Sequence, residues 1–218
     1  MKIDPFTISV LENFASINST LLIKEGNVLE TISESKMIKA KAEVDTTFPK
    51  KCAFYDLWKF ISMYHHYDDP EITFEDKFLT IHSGTCSTRL LYAEESLVTK
   101  MPKKNVLWNN VEATTYLSSL VMKDINKARK VLHFDSVVIQ GDGGHIYIKT
   151  IDSKKPSGDT HCINLGETDK TFEAVFKAEN LILLPDDYEV ELSSSFVSKF
   201  TSSRLTYYIA LDAETSKF

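Results

Sequence analysis

SVVIQGDGGHIYIKTI, residues 136–151, contains the clearest β-hairpin pattern of the chain. Two runs rich in apolar and β-branched residues flank the glycine-rich turn Gly141–Gly144, a pattern that is typical of two antiparallel strands. The stretch before it, VMKDINKARKVLH (residues 121–133), repeats its apolar residues at helical spacing and predicts a helix. A helix followed by a hairpin is therefore the unit from which this part of the fold is built.

The same order of elements occurs twice in the chain. Residues 6–93 and 122–212 each run through a helix, a hairpin, a further strand, a short apolar segment and a second hairpin. Three landmarks correspond between the repeats: Glu25–Asn27 with Gly141–Gly144, Phe54–Tyr64 with Phe176–Leu184, and Leu90–Glu95 with Ile209–Glu214. Because their spacing is close to the usual size of one domain, the sequence predicts two similar domains, 1–93 and 111–218, joined by a connector at 94–110.

The first repeat gives signals for individual elements. Asp4 and Pro5 are a helix N-cap followed by a first-turn proline, so a helix is predicted over Pro5–Ile17. TLLIKEGNVLETIS predicts a hairpin around Gly26, and Phe54–Tyr64 predicts a second helix. Strands outnumber the short helices in both repeats, so the predicted class is α+β and rich in β-structure.

Composition indicates a globular chain without membrane segments. Hydrophobic residues make up 43% and charged residues 26%, and no apolar run approaches the length that spans a bilayer. The N-terminus does not resemble a signal peptide. The three cysteines, Cys52, Cys86 and Cys162, are odd in number and lack metal-type spacing. Free thiols in a reducing compartment, the cytoplasm, are therefore expected.

A basic stripe is predicted on the helix of the second repeat. Lys123, Lys127 and Lys130 fall on one side of a helical wheel, Arg129 lies on the flank, and Asp124 is the single acid of residues 121–133. The segment carries a net charge of +3 in a chain of −6, so the rest of the chain carries −9. Phosphate backbones attract such a stripe without reading bases, but a solvated helix face is the alternative interpretation.

The opposite side of this helix is apolar and is predicted to pack on a sheet. Its members are Val121, Ile125, Ala128 and Leu132. Other lysines are weaker candidates for a phosphate-binding surface, and each on its own is read as an ordinary surface lysine. They are Lys50 and Lys51 before the second helix, Lys59 on its exposed side, and Lys177 in the second repeat.

Sequence motifs for catalysis are weak in this chain. The Gly141–Gly144 turn lies inside a hairpin and does not precede a helix, so a tight turn is favoured over a phosphate-binding loop. One metal-like cluster is His65, His66, Asp68 and Asp69, which follows a helix and is read as a polar turn. A metal-dependent enzyme built on these four residues is therefore a minor alternative.

Three stretches give the chain a resemblance to a known family. VLENFASINS (residues 10–19), AFYDLWKFIS (53–62) and YYIALDAETSKF (207–218) resemble the two helices of the first domain and the C-terminus of the DNA polymerase sliding clamps of T-even-type bacteriophages. These clamps are processivity factors of the PCNA-like clamp superfamily. The order, spacing and total length agree, although residues 94–120 cannot be matched one by one.

The resemblance implies a DNA-clamp fold and a function without chemistry. Each subunit would hold two similar β-rich domains with two helices each, and three subunits would close a homotrimeric ring around duplex DNA. The surface facing the DNA would then include Lys123, Lys127, Lys130 and Arg129, with Lys59, Lys51 and Lys177. The first helix carries no basic residue, so the charge around such a ring would be uneven. No cofactor or metal is implied, and the chain would not be an enzyme.

The resemblance also implies partners. DNA polymerase and a clamp loader would bind through their tails in an apolar pocket beside the connector, and late-transcription factors are a further candidate. In this sequence the connector offers Leu97, Val98, Met101, Val106, Leu107 and Trp108, and the C-terminal strand offers Tyr208, Ala210 and Leu211. Core packing is the alternative role for each of these side chains.

The subunit contact carried over from the family pairs two edge strands. One is Thr85–Leu91, with Thr85, Cys86 and Ser87, and the other is Asp159–Leu165, with Cys162 and Ile163. A monomeric β-rich module that binds DNA or protein is the alternative function. The oligomeric state distinguishes the two, because only a closed ring encircles DNA.

Overall fold

Residues 1–102, 106, 108–155 and 157–218 are described by a computed structural model of the chain. The chain divides into two units, Met1–Lys104 and Asn105–Phe218. Leu107 of the predicted connector lies outside the described residues. Within the described residues strands outnumber helices in both units, which confirms the predicted α+β class. The connector at 94–110 stays a prediction.

The two helices of the first unit begin at aspartate caps. The helix α1, Pro5–Ile17, has the predicted bounds, and the Asp4 carboxylate accepts a hydrogen bond of 2.8 Å from the Thr7 backbone N–H. The helix α2, Leu57–His66, is capped by Asp56, which accepts from the Lys59 backbone N–H at 3.0 Å. Each cap satisfies an N–H group that the first turn of a helix leaves without an internal partner.

The strands of the first unit form antiparallel ladders. β2 pairs with β3, β1 pairs with β4, and β5, β6 and β7 form a sheet in which β7 is an edge strand. Buried and exposed residues alternate along β3, so one face of this strand lies in the core. The bounds are β1 Leu21–Ile23, β2 Gly26–Ile32, β3 Ile38–Phe48, β4 Cys52–Phe54, β5 Glu71–Phe74, β6 Phe78–Ser83 and β7 Cys86–Leu91.

The hairpin predicted around Gly26 is wrong. The strands that flank this glycine belong to different ladders, because β1 pairs with β4 in the register Leu21↔Phe54 and β2 pairs with β3. Leu21 and Ile23 are buried, and all of β4 is buried, so this pairing removes both apolar strands from water. Burial of apolar surface selected a distant partner over the strand that follows in sequence.

The second unit contains the helix α3 and eight strands among its described residues. β9 pairs with β10 and β12, and β11 is an edge strand beside β10. β13 pairs with β8 and β14, and β14 pairs with β15. The bounds are β8 Val111–Leu117, α3 Ser119–Leu132, β9 Ser136–Asp142, β10 His145–Ile151, β11 Thr160–Glu167, β12 Thr171–Lys177, β13 Tyr188–Ser193, β14 Val197–Thr201 and β15 Leu205–Ala210.

The hairpin of β9 and β10 confirms the turn predicted at Gly141–Gly144. The Asp142 carboxylate accepts hydrogen bonds from the backbone N–H groups of His145 at 2.7 Å and Gly144 at 2.9 Å. These bonds hold the pKa of the Asp142 carboxyl below its usual range. Gly143 has a φ of 86°, a left-handed conformation that favours glycine.

The second helix expected in the second unit is present only as a short 3-10 turn. The segment that corresponds to α2 forms a turn at Ala178–Asn180 without a side-chain cap. Pro185 follows five residues later, and a proline disfavours helical conformation in the residue before it. A helix as long as α2 would run through this proline. The second unit therefore lacks a counterpart of α2, although the sequence pattern is repeated.

The apolar side predicted for α3 is partly wrong. Ile125 is buried, but Met122 is the other buried residue of the helix, and Leu132 is exposed. Leu132 is the last helical residue, and His133 then ends the helix in a left-handed conformation with a φ of 56°. The last turn therefore lies at the surface, and the buried side faces β10 and β11.

An aromatic stack joins the C-terminal tail to the second unit. The ring of Phe172 stacks on that of Phe218, with the centroids 6.3 Å apart and the planes 9° from parallel. Two backbone hydrogen bonds of 2.8 Å pair Lys217 with Glu173 on β12. The Phe172 ring also lies against Gly141, where a Cβ atom would be 2.7 Å from Cε1 of Phe172.

We expect Gly141→Ala to lower the free energy of unfolding by about 1–3 kcal/mol, because the added methyl group overlaps the Phe172 ring and the Lys170 carbonyl oxygen. Urea denaturation measures the change. Gly144→Ala is the matched control, since its Cβ would lie 3.6 Å from the nearest atom. Equal stability of the two variants would contradict the close packing of Phe172.

Candidate functional site

The three lysines predicted as a stripe lie together on the surface of the second unit. Lys123, Lys127 and Lys130 are exposed and line one groove of about 760 Å³. Leu120, which is 75% exposed, lies on the same side of α3. The opposite wall is the segment 183–188, which contributes leucines, Pro185 and Tyr188. The groove therefore combines apolar side chains and one acid, Asp186, with a row of three cations.

Two side-chain hydrogen bonds fix the N-terminal end of helix α3 and thereby orient the stripe of three lysines. The Ser118 hydroxyl accepts from the Val121 backbone N–H at 3.3 Å, and the Asp187 carboxylate accepts from that of Ser119 at 2.7 Å. Asp124, the single acid of the helix, lies on its flank. Its Oδ2 is 2.8 Å from Nε2 of His161 on β11.

The Arg129 and Lys177 side chains lie in a different depression. It is about 570 Å³ in volume and is also lined by Asp135, Glu179 and Asp212. The Arg129 Nε donates to Oδ1 of Asn126 at 3.2 Å. The Ser153 hydroxyl donates to Asp135 and holds the pKa of that carboxyl below its usual range. Acids thus surround these two cations, which do not line the groove of the lysine stripe.

The first unit offers fewer cations on its helices. Lys59 is exposed on α2, whereas Lys51 forms an ion pair with Glu95. The helix α1 contains no basic residue, and its single charged side chain, Glu12, lies 2.8 Å from Nε2 of His65. The two units thus share an architecture but differ in the charge of their first helices.

Two of the predicted pocket residues of the second unit are in contact. The rings of Trp108 and Tyr208 meet edge to face, with their centroids 5.9 Å apart. Ala210 lies on the same outer side of β15 as Tyr208, and both are half-buried, whereas Leu211 is buried. The outer face of this sheet therefore carries a mixed aromatic and apolar patch.

Sequence reasoning missed Lys199 and Glu191, which support Trp108. The Lys199 Nζ lies 5.6 Å from the centroid of the Trp108 ring and 2.8 Å from Oε2 of Glu191. Glu191, Lys199 and Tyr208 lie opposite one another on β13, β14 and β15. The alternation of buried and exposed residues along these strands was the available signal, because it places all three side chains on the outer face.

Val98 lines a cavity of about 290 Å³ within the first unit. The cavity is also lined by Met101 and by residues of β1 and β2, among them Val28 and Ile32. Leu97, also predicted as a pocket residue, is 58% exposed and is not part of this lining. Val98 is buried, so it belongs to the wall of the cavity and to the core.

A buried network of polar side chains fixes the chain beside this cavity, and sequence reasoning missed it. The Asn18 amide donates to the Thr99 hydroxyl at 2.9 Å and to the Ile32 carbonyl oxygen at 2.8 Å. The Thr20 hydroxyl lies 3.1 Å from that of Thr99 and accepts from the Thr99 backbone N–H at 3.1 Å. Buried polar groups require such partners, so the network determines where residues 98–101 run.

The residues predicted at a subunit contact lie on two edge strands or beside them. Thr85, Cys86 and Ser87 are exposed at the start of β7. Cys162 is exposed and Ile163 half-buried on β11. All three cysteines of the chain are free thiols, as the sequence predicted. Each edge strand has backbone N–H and C=O groups directed away from its own sheet.

The metal-like cluster of the sequence does not assemble. His65 faces Glu12, Asp69 forms an ion pair with Lys2, and the Asp68 carbonyl oxygen accepts from the Ser83 hydroxyl. Among the described residues, no three side chains of histidine, cysteine, aspartate or glutamate converge where they could hold a metal ion. No helix in the described part of the chain is long and apolar enough to cross a bilayer.

Comparison with known proteins identifies the family. The chain is 31% identical to the sliding clamp of Vibrio phage KVP40, over 98% of this chain and all of the relative. The chain belongs to the sliding clamp family. It is also 27% identical to the sliding clamp of Escherichia phage RB69, over 99% of both chains. Residues 116–213 match the family model described as gp45 sliding clamp, C terminal.

Solved structures show the same fold at low sequence identity. PCNA from A. fulgidus, in a structure with the C-terminal region of FEN-1 bound, is 12% identical with a TM-score of 0.72, over 95% of both chains. The PCNA2-PCNA3 complex from Sulfolobus tokodaii contains a chain that is 14% identical with a TM-score of 0.69, over 95% of this chain and 96% of that chain. The clamp fold predicted from the sequence is confirmed.

Proposed function

We propose that this sliding clamp encircles duplex DNA and tethers the replicative DNA polymerase, without catalysing a reaction itself. The observation that carries the proposal is the exposed row of Lys123, Lys127 and Lys130 on α3 of an acidic member of the sliding clamp family. A clamp loader opens and closes the ring, and late-transcription factors are further candidate partners. The place of action is the cytoplasm of the host cell.

The chemistry of the row suits a sliding contact. Lysine ammonium groups are point charges on flexible stems, so they attract phosphates without holding them in a fixed geometry. Contacts to phosphates carry no sequence information, and a ring that moves along DNA requires contacts of this kind. Lys59, Lys51, Arg129 and Lys177 contribute less in this proposal, because acids surround or pair with three of them.

A homotrimeric ring is proposed to close through β7 of one subunit and β11 of the next. Both are edge strands of their own sheets, and the residues around Cys86 and Cys162 are exposed in the single chain. Pairing of two such edges satisfies backbone groups on both sides and repeats head to tail around the ring.

The partner tail is proposed to bind against the outer face of the second unit that carries Trp108, Tyr208 and Ala210. Leu211 supports this site from the core, since it is buried. Aromatic anchors supply most of the binding energy in small interfaces of this kind.

Changing Lys123, Lys127 and Lys130 together to Glu tests the DNA-facing surface. We expect retention on duplex DNA to fall, and the slope of log affinity against log salt to shrink by roughly 3, since three phosphate contacts are lost. Anisotropy of a labelled duplex over a salt series gives the slope. Lys36, Lys39 and Lys41 changed to Glu form the control with the same change in net charge. If both triple variants lose affinity alike, net charge accounts for the effect and the α3 row does not face DNA.

Proline at Ser87 or at Ile163 tests the ring. Each change removes a backbone donor from a proposed contact strand, so we expect the species with three times the 24.8 kDa chain mass to dissociate. Sedimentation velocity measures the mass. Thr171→Pro places a proline at the start of β12, on the far edge of the β11–β10–β9–β12 sheet, and should leave the trimer intact. An intact trimer in both contact variants would exclude these strands.

Truncation of Trp108 tests the tail site. We expect Trp108→Ala to weaken binding of the polymerase's C-terminal peptide by about 1–3 kcal/mol, with a smaller effect of Tyr208→Ala. Calorimetry measures the affinity. Both side chains are at least partly exposed, so the fold and the ring should persist. Tyr116→Ala, at a residue 64% exposed on β8, is the control. Parental affinity in both truncated variants would place the tail site elsewhere.

A further inference from the structure

The groove beside α3 holds apolar side chains that phosphates do not use. Leu120 is 75% exposed, and Leu183, Leu184 and Pro185 reach the groove from the opposite wall. Charges and hydrogen-bond donors bind a phosphate group, so contact with a DNA backbone would leave these side chains in water. Exposed apolar patches beside polar groups are typical of sites at which proteins bind one another. The lysine row alone therefore does not account for this surface.

Helix α3 buries much less of its surface than α1. Two of its 14 residues, Met122 and Ile125, are buried, whereas seven of the 13 residues of α1 are buried. Both helices pack on strands, but α1 also has α2 beside it. The helix α2 buries Leu57, Phe60 and Ile61. A flank that a helix covers in the first unit is therefore open in the second.

The segment that corresponds to α2 in the repeated order forms the opposite wall of the groove. It passes through the turn Ala178–Asn180 and continues to Leu184 without an α-helix. The Asp187 carboxylate accepts a hydrogen bond of 2.7 Å from the Ser119 backbone N–H and so joins this wall to the N-terminal end of α3. The second unit thus has an open groove of about 760 Å³ beside its helix, where the first unit has a second helix.

The charges of the groove indicate what would fill it. Lys123, Lys127 and Lys130 follow one another at helical spacing on one side of α3, so a facing helix with acids at the same spacing would meet all three. From Leu120 to Lys130 the helix rises about 15 Å, which matches about three turns of such a partner. Asp186 in the opposite wall repels acids and directs them toward the lysines.

The α-helices described in this chain do not supply the acids that the groove requires. The helix α1 contains one acid, Glu12, the helix α3 contains one, Asp124, and α2 contains none. A second copy of the chain therefore cannot fill the groove with one of these helices. The complementary partner is a different protein.

We propose that the groove beside α3 docks an amphipathic helix of a partner protein, with acidic residues toward the three lysines and apolar residues toward Leu120 and Leu184. A helix in a groove is a common mode of peptide recognition. This inference goes beyond the proposed function, because it assigns the groove to a protein and does not depend on DNA. Since the same lysines are the proposed contacts to phosphates, a docked helix and duplex DNA would exclude each other on one chain.

The test uses the full chain and a labelled synthetic helical peptide of about four turns, with leucines along one side and glutamates along the other. Anisotropy in about 0.1 M salt measures the affinity. We expect the parent to bind this peptide, and Leu120→Ala to weaken binding about tenfold while affinity for a labelled duplex stays unchanged. A second peptide with lysines in place of the glutamates should not bind, because it would meet the lysine row with like charge.

Val131→Ala is the matched control, because Val131 is 69% exposed on the same helix and does not line the groove. It should bind the acidic peptide as the parent does. The inference is overturned if the parent does not bind this peptide, if Leu120→Ala binds it as tightly as the parent, or if Val131→Ala weakens binding equally.

Competition with unlabelled duplex separates this inference from the proposed function. We expect the duplex to displace the bound peptide, because both need Lys123, Lys127 and Lys130. The variant with all three lysines changed to Glu should lose both ligands. If the duplex leaves the peptide in place and the triple variant loses the peptide alone, the docking site stands and the assignment of the lysine row to DNA fails.

Discussion

Burial of one side of antiparallel strands such as β3 and β15 is the constraint on which the rest of this structure depends. Along β3 every second residue, from Ile38 to Phe48, is buried, and a slip of one residue would place the apolar set in water. The register fixed in this way also fixes what the outer faces carry. Glu191, Lys199 and Tyr208 form a row because their neighbours Val190, Ser198 and Tyr207 must face the core.

The charge of the exposed surfaces does not follow from this burial pattern, and it differs between the two units. The helices α1 and α3 occupy equivalent places in the repeated order, and both bury an apolar side. Their exposed sides are free to differ, because packing places no demand on them. In α1 that side is nearly uncharged, whereas α3 carries three lysines in a row. The two helices therefore both bury an apolar side but differ in the charge of their exposed sides.

The sequence predicted the elements with local signals and missed those decided by distant contacts. The helix cap at Asp4 and the turn at Gly143 depend on neighbouring residues, and the sequence predicted both. The partner of β1 could not be found in this way, because β2 and β3 lie between Leu21 and its partner Phe54 in sequence, and periodicity does not identify a partner. Pro185 indicates from sequence alone that the second unit has no second helix as long as α2. The expected correspondence between the two repeats led to the wrong prediction.

The candidate site likewise has one part that local signals predict and another that depends on distant contacts. Helical spacing was enough to place Lys123, Lys127 and Lys130 on one side of α3, since exposed positions on a helix follow from its period alone. The support of Trp108 by Lys199 needed the strand order β13–β14–β15, and the fixing of Thr99 needed Asn18, which is 81 residues away. Both features are polar contacts between distant segments. Polar contacts leave no periodic pattern in the sequence, because each requires only a partner within hydrogen-bonding distance. Such a contact does not require a particular face of a helix or strand. A surface made of one element can therefore be read from sequence, whereas a site assembled from several elements requires the fold.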